Sequence, residues 1–237
     1  MEYFQKANEL YDLGQFEEAV MTCDQALQVN HKDDAVWFRR GISLGKLGRY
    51  EEAIDSLDHA LEIQPSCYEA WYSRALYLHC LGNNREAITS LHSALKIQPN
   101  YLLAWDMRGL ILIELGRFEE ALASFDHALD IEPDDVQIWI NKAGAQVLLG
   151  RKKEATHSLK QALEVTPDNY PDWKMLGDML LDLGQYEEAI TSFDHALDIK
   201  PKDFEIWFLR GIALRKLGRY VRAIISCSRA LFLKVKT

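Results

Sequence analysis

Histidines 59, 127 and 195 stand in the same Asp-His-Ala-Leu segment, 68 residues apart. An imidazole beside a carboxylate is the residue pairing that holds a transition metal or moves a proton. The run Gly41-Ile-Ser-Leu-Gly45-Lys-Leu-Gly48 has the glycine density of a loop that cradles phosphate. Cys23, Cys67, Cys80 and Cys227 offer thiols for metal or redox chemistry. None of these survives inspection of its spacing. Metal ligands must lie within about 2 Å of one ion, and side chains that recur with a structural repeat are carried apart by it. A phosphate loop needs a preceding strand, and the residues around Gly41 have helical periodicity. The cysteines show no Cys-x-x-Cys spacing, and Cys67 and Cys80 flank a predicted helix about 20 Å long, too far to bridge. Carboxylates abound but repeat, which marks solvated faces. The sequence therefore predicts no catalytic residues, no metal and no cofactor.

What positions these residues is a period. Trp37, Trp71, Trp105, Trp139, Trp173 and Trp207 lie 34 residues apart, and Pro65, Pro99, Pro133, Pro167 and Pro201 keep the same step. Seven Leu-Gly pairs, ending at Gly14, Gly48, Gly82, Gly116, Gly150, Gly184 and Gly218, keep it too. A fixed period of this length marks a stack of one supersecondary unit. In residues 34–67, Trp37, Gly41 and Leu44 form one helical stripe. Asp34 can cap that helix, and Leu47-Gly48 ends it. Tyr50 opens a second helix with Glu51 and Glu52 at its positive end. Ala53, Leu57, Ala60 and Leu61 form its buried stripe, and Pro65 stops it. Neither helix can bury its stripe alone, so neighbours must stack. Repeats of 1–33, 34–67, 68–101, 102–135, 136–169, 170–203 and 204–237 account for all 237 residues, as a single domain 1–237.

The net charge is −9. That excludes the basic stripe of a nucleic-acid or anionic-membrane surface. No apolar run approaches a membrane span, and unpaired thiols suit a reducing compartment, so a cytoplasmic protein is expected. The charge is unevenly placed. Residues 204–237 carry eight Lys or Arg and one acid, a net of +7, which leaves −16 for the rest.

The pattern W-x3-G-x2-L, then LG-x-aromatic-x2-A, then Ala and Pro, stands here as Trp37, Gly41, Leu44, Gly48, Tyr50, Ala53, Ala60 and Pro65. It resembles the tetratricopeptide repeat, and the resemblance covers all seven units. The first unit departs most, with Tyr3 for the tryptophan and His31 for the proline. The resemblance implies an all-α, right-handed superhelical solenoid of helix-turn-helix repeats, and a protein-protein interaction scaffold that holds a peptide or helical segment in its concave groove. A recruiting or regulatory segment of a larger multidomain enzyme is the alternative. The family's clamp for a chaperone's C-terminal carboxylate is not expected. Lys174 stands at its first position, but Asp178 replaces the required asparagine.

In this family, residues one and five after the tryptophan line the groove. Repeats two to four carry apolar residues there, Phe38, Ile42, Tyr72, Leu76 and Leu110, with Ile113 on the same helix as Leu110. An exposed apolar strip marks a site for an apolar or amphipathic ligand. Alternatively, these residues pack against adjacent helices. Comparison among repeats also pairs aspartates with basic residues 16 positions later: Asp24 with Arg40, Asp58 with Arg74, Asp126 with Lys142, and Asp194 with Arg210. Lys160 and Leu176 break both halves of one pair together, and His92 with Arg108 is an exception. An ion-pair ladder between successive repeats is expected. In the last repeat, Arg215, Lys216, Arg219 and Arg222 form a basic cluster suited to an acidic partner, and Ile224, Leu231 and Phe232 are uncapped. A longer array and self-association through this repeat are both open readings, the first favoured.

Overall fold

The computed structural model describes residues 2–236. It is all-α, with no strand among the described residues. The chain forms two compact units, Met1–Arg117 and Phe118–Thr237. The first contains α1 (Glu2–Asp12), α2 (Phe16–Val29), α3 (Asp34–Lys46), α4 (Tyr50–Ile63), α5 (Tyr68–Cys80), α6 (Asn84–Ile97) and α7 (Leu102–Glu114). The second contains α8 (Phe118–Ile131), α9 (Val136–Leu148), α10 (Lys152–Val165), α11 (Tyr170–Asp182), α12 (Tyr186–Ile199), α13 (Phe204–Lys216) and α14 (Tyr220–Lys236). Within each unit, helical hairpins stack as the period requires.

Local chemistry sets the helix ends. Asp33, not Asp34, caps α3: its carboxylate accepts from the Val36 amide at 3.2 Å, and Asp34 is already the first helical residue. The capping acid must stand one residue outside the helix so that its side chain can fold back to the third amide. Asp135, Asn169 and Asp203 cap α9, α11 and α13 in the same way. At the other end, Gly48 takes φ +75°, and the six equivalent glycines lie between +71° and +78°. Only glycine adopts this left-handed turn without strain.

The tryptophan and proline periods have one cause. The Trp71, Trp105, Trp139 and Trp207 indoles each donate to the carbonyl of the proline six residues earlier, at 2.8–3.0 Å. Trp37 does the same to His31. Each bond pins the inter-repeat loop to the next helix.

The buried stripes form the core. Leu57, Ala53, Ala60 and Leu61 are buried, and α3 approaches α4 closely at Gly41, where a Cβ would stand 2.9 Å from Leu57 Cγ. In the second unit Phe125, Phe193, Leu159, Leu176 and Leu180 are fully buried.

The ion-pair ladder is present. Asp24–Arg40, Asp58–Arg74, Asp126–Lys142 and Asp194–Arg210 lie at 2.7, 2.6, 2.7 and 2.5 Å. The arginines reach further than the sequence pairing implied. Arg40, Arg74 and Arg210 also donate to Ser56, Ser90 and Ser226, 16 residues on. One guanidinium thus ties two successive second helices across the first helix between them. Where the aspartate is lost, Lys160 pairs with Glu188 instead. A double-mutant cycle on Asp58→Ala and Arg74→Ala should show a coupling of about 0.5–1 kcal/mol in thermal or denaturant unfolding. Additive effects would contradict the ladder.

Candidate functional site

The apolar strip is half-buried. Phe38 and Leu76 pack at the edge of the core formed by Leu44, Leu57, Leu61 and Tyr77. Tyr72 and Leu76 border the next core, around Leu91, Met107 and Ile111. Leu76 therefore joins the two, and these three of the sequence candidates are linked through packing. Ile42 and Ile113 are also half-buried and belong to neither group, while Leu110 is 40% exposed. Phe38, Tyr72 and Leu76 thus pack against the core while remaining partly exposed. Tyr101 enlarges the surface and was not anticipated. Its ring meets Tyr72 and Tyr68 edge-on at 5.2 and 5.0 Å. Burial pushes the Tyr101 phenol up to about 12 and raises Tyr72 as well. These phenols stay neutral donors and suit an uncharged ligand surface.

Two of the compared first-helix positions carry orphan oxygens. Asn8 Oδ1 and Asp178 Oδ1, each at the fifth residue after the tryptophan position, are buried without a hydrogen-bond partner. Burial raises the Asp178 carboxyl above the ordinary range, against the pull of Lys174. Lys174 itself is engaged by Glu205 at 2.5 Å.

The repeated histidines are not merely solvated. His59 lies over Trp37 at 4.5 Å, and His195 stacks on Trp173 at 4.3 Å. They extend the aromatic packing between repeats. Among the described residues, no three His, Cys, Asp or Glu side chains gather to hold a metal ion. The cysteines are free thiols. Burial, helped by Asp24, pushes the Cys23 thiol up to about 12, whereas Cys80 is exposed. Native-state alkylation at about pH 8 should label Cys80 and spare Cys23, because only the thiolate reacts. Rapid labelling of Cys23, read by peptide mass spectrometry, would contradict this burial.

At the other end of the chain, Arg215, Lys216, Arg219 and Arg222 are all exposed. Arg215 and Lys216 occupy the last turn of α13, and Arg222 sits in the first turn of α14, where the helix dipole disfavours a cation. Arg219 lies 3.6 Å from Glu187. Among the described residues, no helix is long and apolar enough to cross a membrane.

Profiles described as tetratricopeptide repeat match residues 3–33, 35–67, 76–136 and 112–177, and one described as TPR repeat matches 177–218. The chain belongs to the tetratricopeptide repeat family. No curated protein matches it. Among solved structures, a tetratricopeptide repeat protein from Parabacteroides merdae is 20% identical with a TM-score of 0.73, over 98% of this chain and 92% of that one. MamA from Desulfovibrio magneticus RS-1 is 20% identical, TM-score 0.66, over 70% of this chain and 96% of that one. YrrB, described as a TPR protein with an unusual peptide-binding site, is 22% identical, TM-score 0.64, over 73% and 89%. At these identities the likeness is one of fold. The tetratricopeptide repeat assignment rests on the residues that build each turn, and the groove residues differ from repeat to repeat within it.

Proposed function

We propose that this tetratricopeptide repeat chain is a non-catalytic scaffold that binds an apolar or amphipathic peptide segment on the first helices of repeats two to four. The observation that carries the reading is the half-buried strip of Phe38, Ile42, Tyr72, Leu76, Leu110 and Ile113, bordered by Tyr101. Half-buried aromatics are already held in one rotamer by the core, so a ligand that covers them loses little side-chain entropy on binding. They are also the residue types that dominate binding energy at interfaces. YrrB is a member of the fold with a peptide-binding site, which supports a peptide as the ligand class. A net charge of −9 disfavours nucleic acid. Selection from a random peptide display library on the folded chain tests this. Enrichment of sequences with apolar residues at helical or alternating spacing is the expected result. Enrichment of only charged peptides, or of none, would overturn it.

A further inference from the structure

The first helix and the last helix of the chain carry exposed apolar residues in repeats of opposite charge. On second helices, two positions face the following first helix. They are filled by Val20 and Leu27, 5% and 7% exposed, and by Ile190 and Leu197, 8% and 6% exposed. Their equivalents on α14, Ile224 and Leu231, are 67% and 65% exposed. On α1 and its turn, Tyr3 and Leu13 are 45% and 74% exposed. Charge divides the same way. Residues 1–33 hold two Lys against seven Asp or Glu, a net of −5, where residues 204–237 are at +7. We propose that α14 of one copy receives α1 of a second copy, in the register that successive repeats already use.

That register can be read at the internal junctions. Trp37 packs into one cluster with Leu27, ten residues before it, and Trp71 with Leu61, Trp105 with Leu95, Trp173 with Leu163 and Trp207 with Leu197 do the same. At three junctions the leucine before the turn glycine shares a cluster with the aliphatic residue 27 before it: Leu47 with Val20, Leu115 with Ile88 and Leu217 with Ile190. Tyr77 fills the space over Gly45, 32 residues before it, and stacks on Tyr50 at 5.8 Å. A second copy continuing the stack is displaced by seven periods, 238 residues. Its Tyr3 then falls on Leu231, its Leu13 on Ile224, and its Glu9 on Arg215 beside Tyr220. Both Tyr3 and Leu13 thus meet exposed apolar residues of α14, which also exposes Tyr220, Val221, Ile225, Phe232 and Val235. The hollow that takes Tyr3 is already formed by Phe204, Phe208, Ala230 and Leu231. Glu9 is exposed on α1 at a position where later first helices carry the buried Ser43, Tyr77, Ile111 and Ala145. An acid at that position suits a basic residue across the junction, and Arg215 is the residue the register places there. The contact is heterologous, so each copy keeps one free end and assembly continues past the dimer.

Sedimentation velocity over a range of protein concentrations tests this at low and high salt. Wild type should shift from monomer to larger species as concentration rises, and high salt should weaken the shift. Arg215→Glu and Glu9→Arg alone should each weaken association about tenfold or more. Both sites are exposed, so each variant should keep the wild-type circular dichroism. The double variant Arg215→Glu with Glu9→Arg, and an equimolar mixture of the two single variants, should associate again. Ile224→Asp should stay monomeric and not be rescued. Wild type that is monomeric at every concentration would assign the α14 face to some other helix and overturn the proposal. So would association that is indifferent to the charge reversals or not restored by the double variant.

Discussion

Phe193→Ala is expected to lower the stability of the second unit by about 3–5 kcal/mol, the cost of truncating a fully buried aromatic. Phe193 is 0% exposed in the cluster that joins α10, α11, α12 and α13. Its ring occupies the space that Gly177 leaves open: a Cβ at Gly177 would stand 2.4 Å from the ring. Removing the ring leaves a cavity bounded by a residue without a side chain, which cannot relax to fill it. Adding a side chain at Gly177 forces the opposite fault, and Gly177→Val should destabilise through overpacking. Because the chain has two compact units, one global unfolding transition need not be two-state. Hydrogen exchange resolved by peptide is the suitable measurement. Amides of α11 and α12 should lose protection while those of α3 and α4 keep theirs. Unchanged protection in α11 and α12 would contradict the packing.

Tyr72→Ala should weaken a selected peptide about 30-fold, some 2 kcal/mol, and Phe38→Ala by a similar amount. The aromatic rings combine contact area with pre-set rotamers, and Tyr72 is held by Tyr101 from the side. Leu110→Ala should cost less, because Leu110 is smaller than the aromatic rings and 40% exposed. Tyr72→Phe should retain most of the affinity if the ring, and not the hydroxyl, makes the contact. Calorimetry on variants that keep the wild-type circular dichroism separates binding from folding. Tyr72→Ala binding as tightly as wild type would move the site elsewhere.

The sequence made the fold legible because the residues that shape a repeat recur at every turn. Gly48 and its equivalents show why: one backbone geometry demands one residue type. Pairing by comparison among repeats also succeeded, since Asp58 and Arg74 change together with their equivalents. It stopped short of Ser56, Ser90 and Ser226. Their 34-residue recurrence was visible, but a serine on a buried stripe resembles a small core residue until the guanidinium is placed beside it. The Asp33 cap was mistaken for Asp34 because adjacent aspartates are equal in type and differ only in where the helix begins. The constant six-residue offset between proline and tryptophan held the indole hydrogen bond, yet an offset does not reveal which atoms meet. The groove was legible only as residue types. Exposure there depends on how far neighbouring helices cover each side chain, which is why Phe38 and Leu110 differ. Tyr101 was missed because it lies before its helix, outside the two positions compared.

Hydrogen exchange of the folded chain with and without a display-selected peptide tests the scaffold reading most directly. Bound peptide should add protection to α3, α5 and α7, centred on the segments holding Phe38, Tyr72 and Leu110, and leave α9, α11 and α13 unchanged. Protection gained only in the second unit, or on the second helices α4 and α6 without α3, α5 and α7, would contradict it.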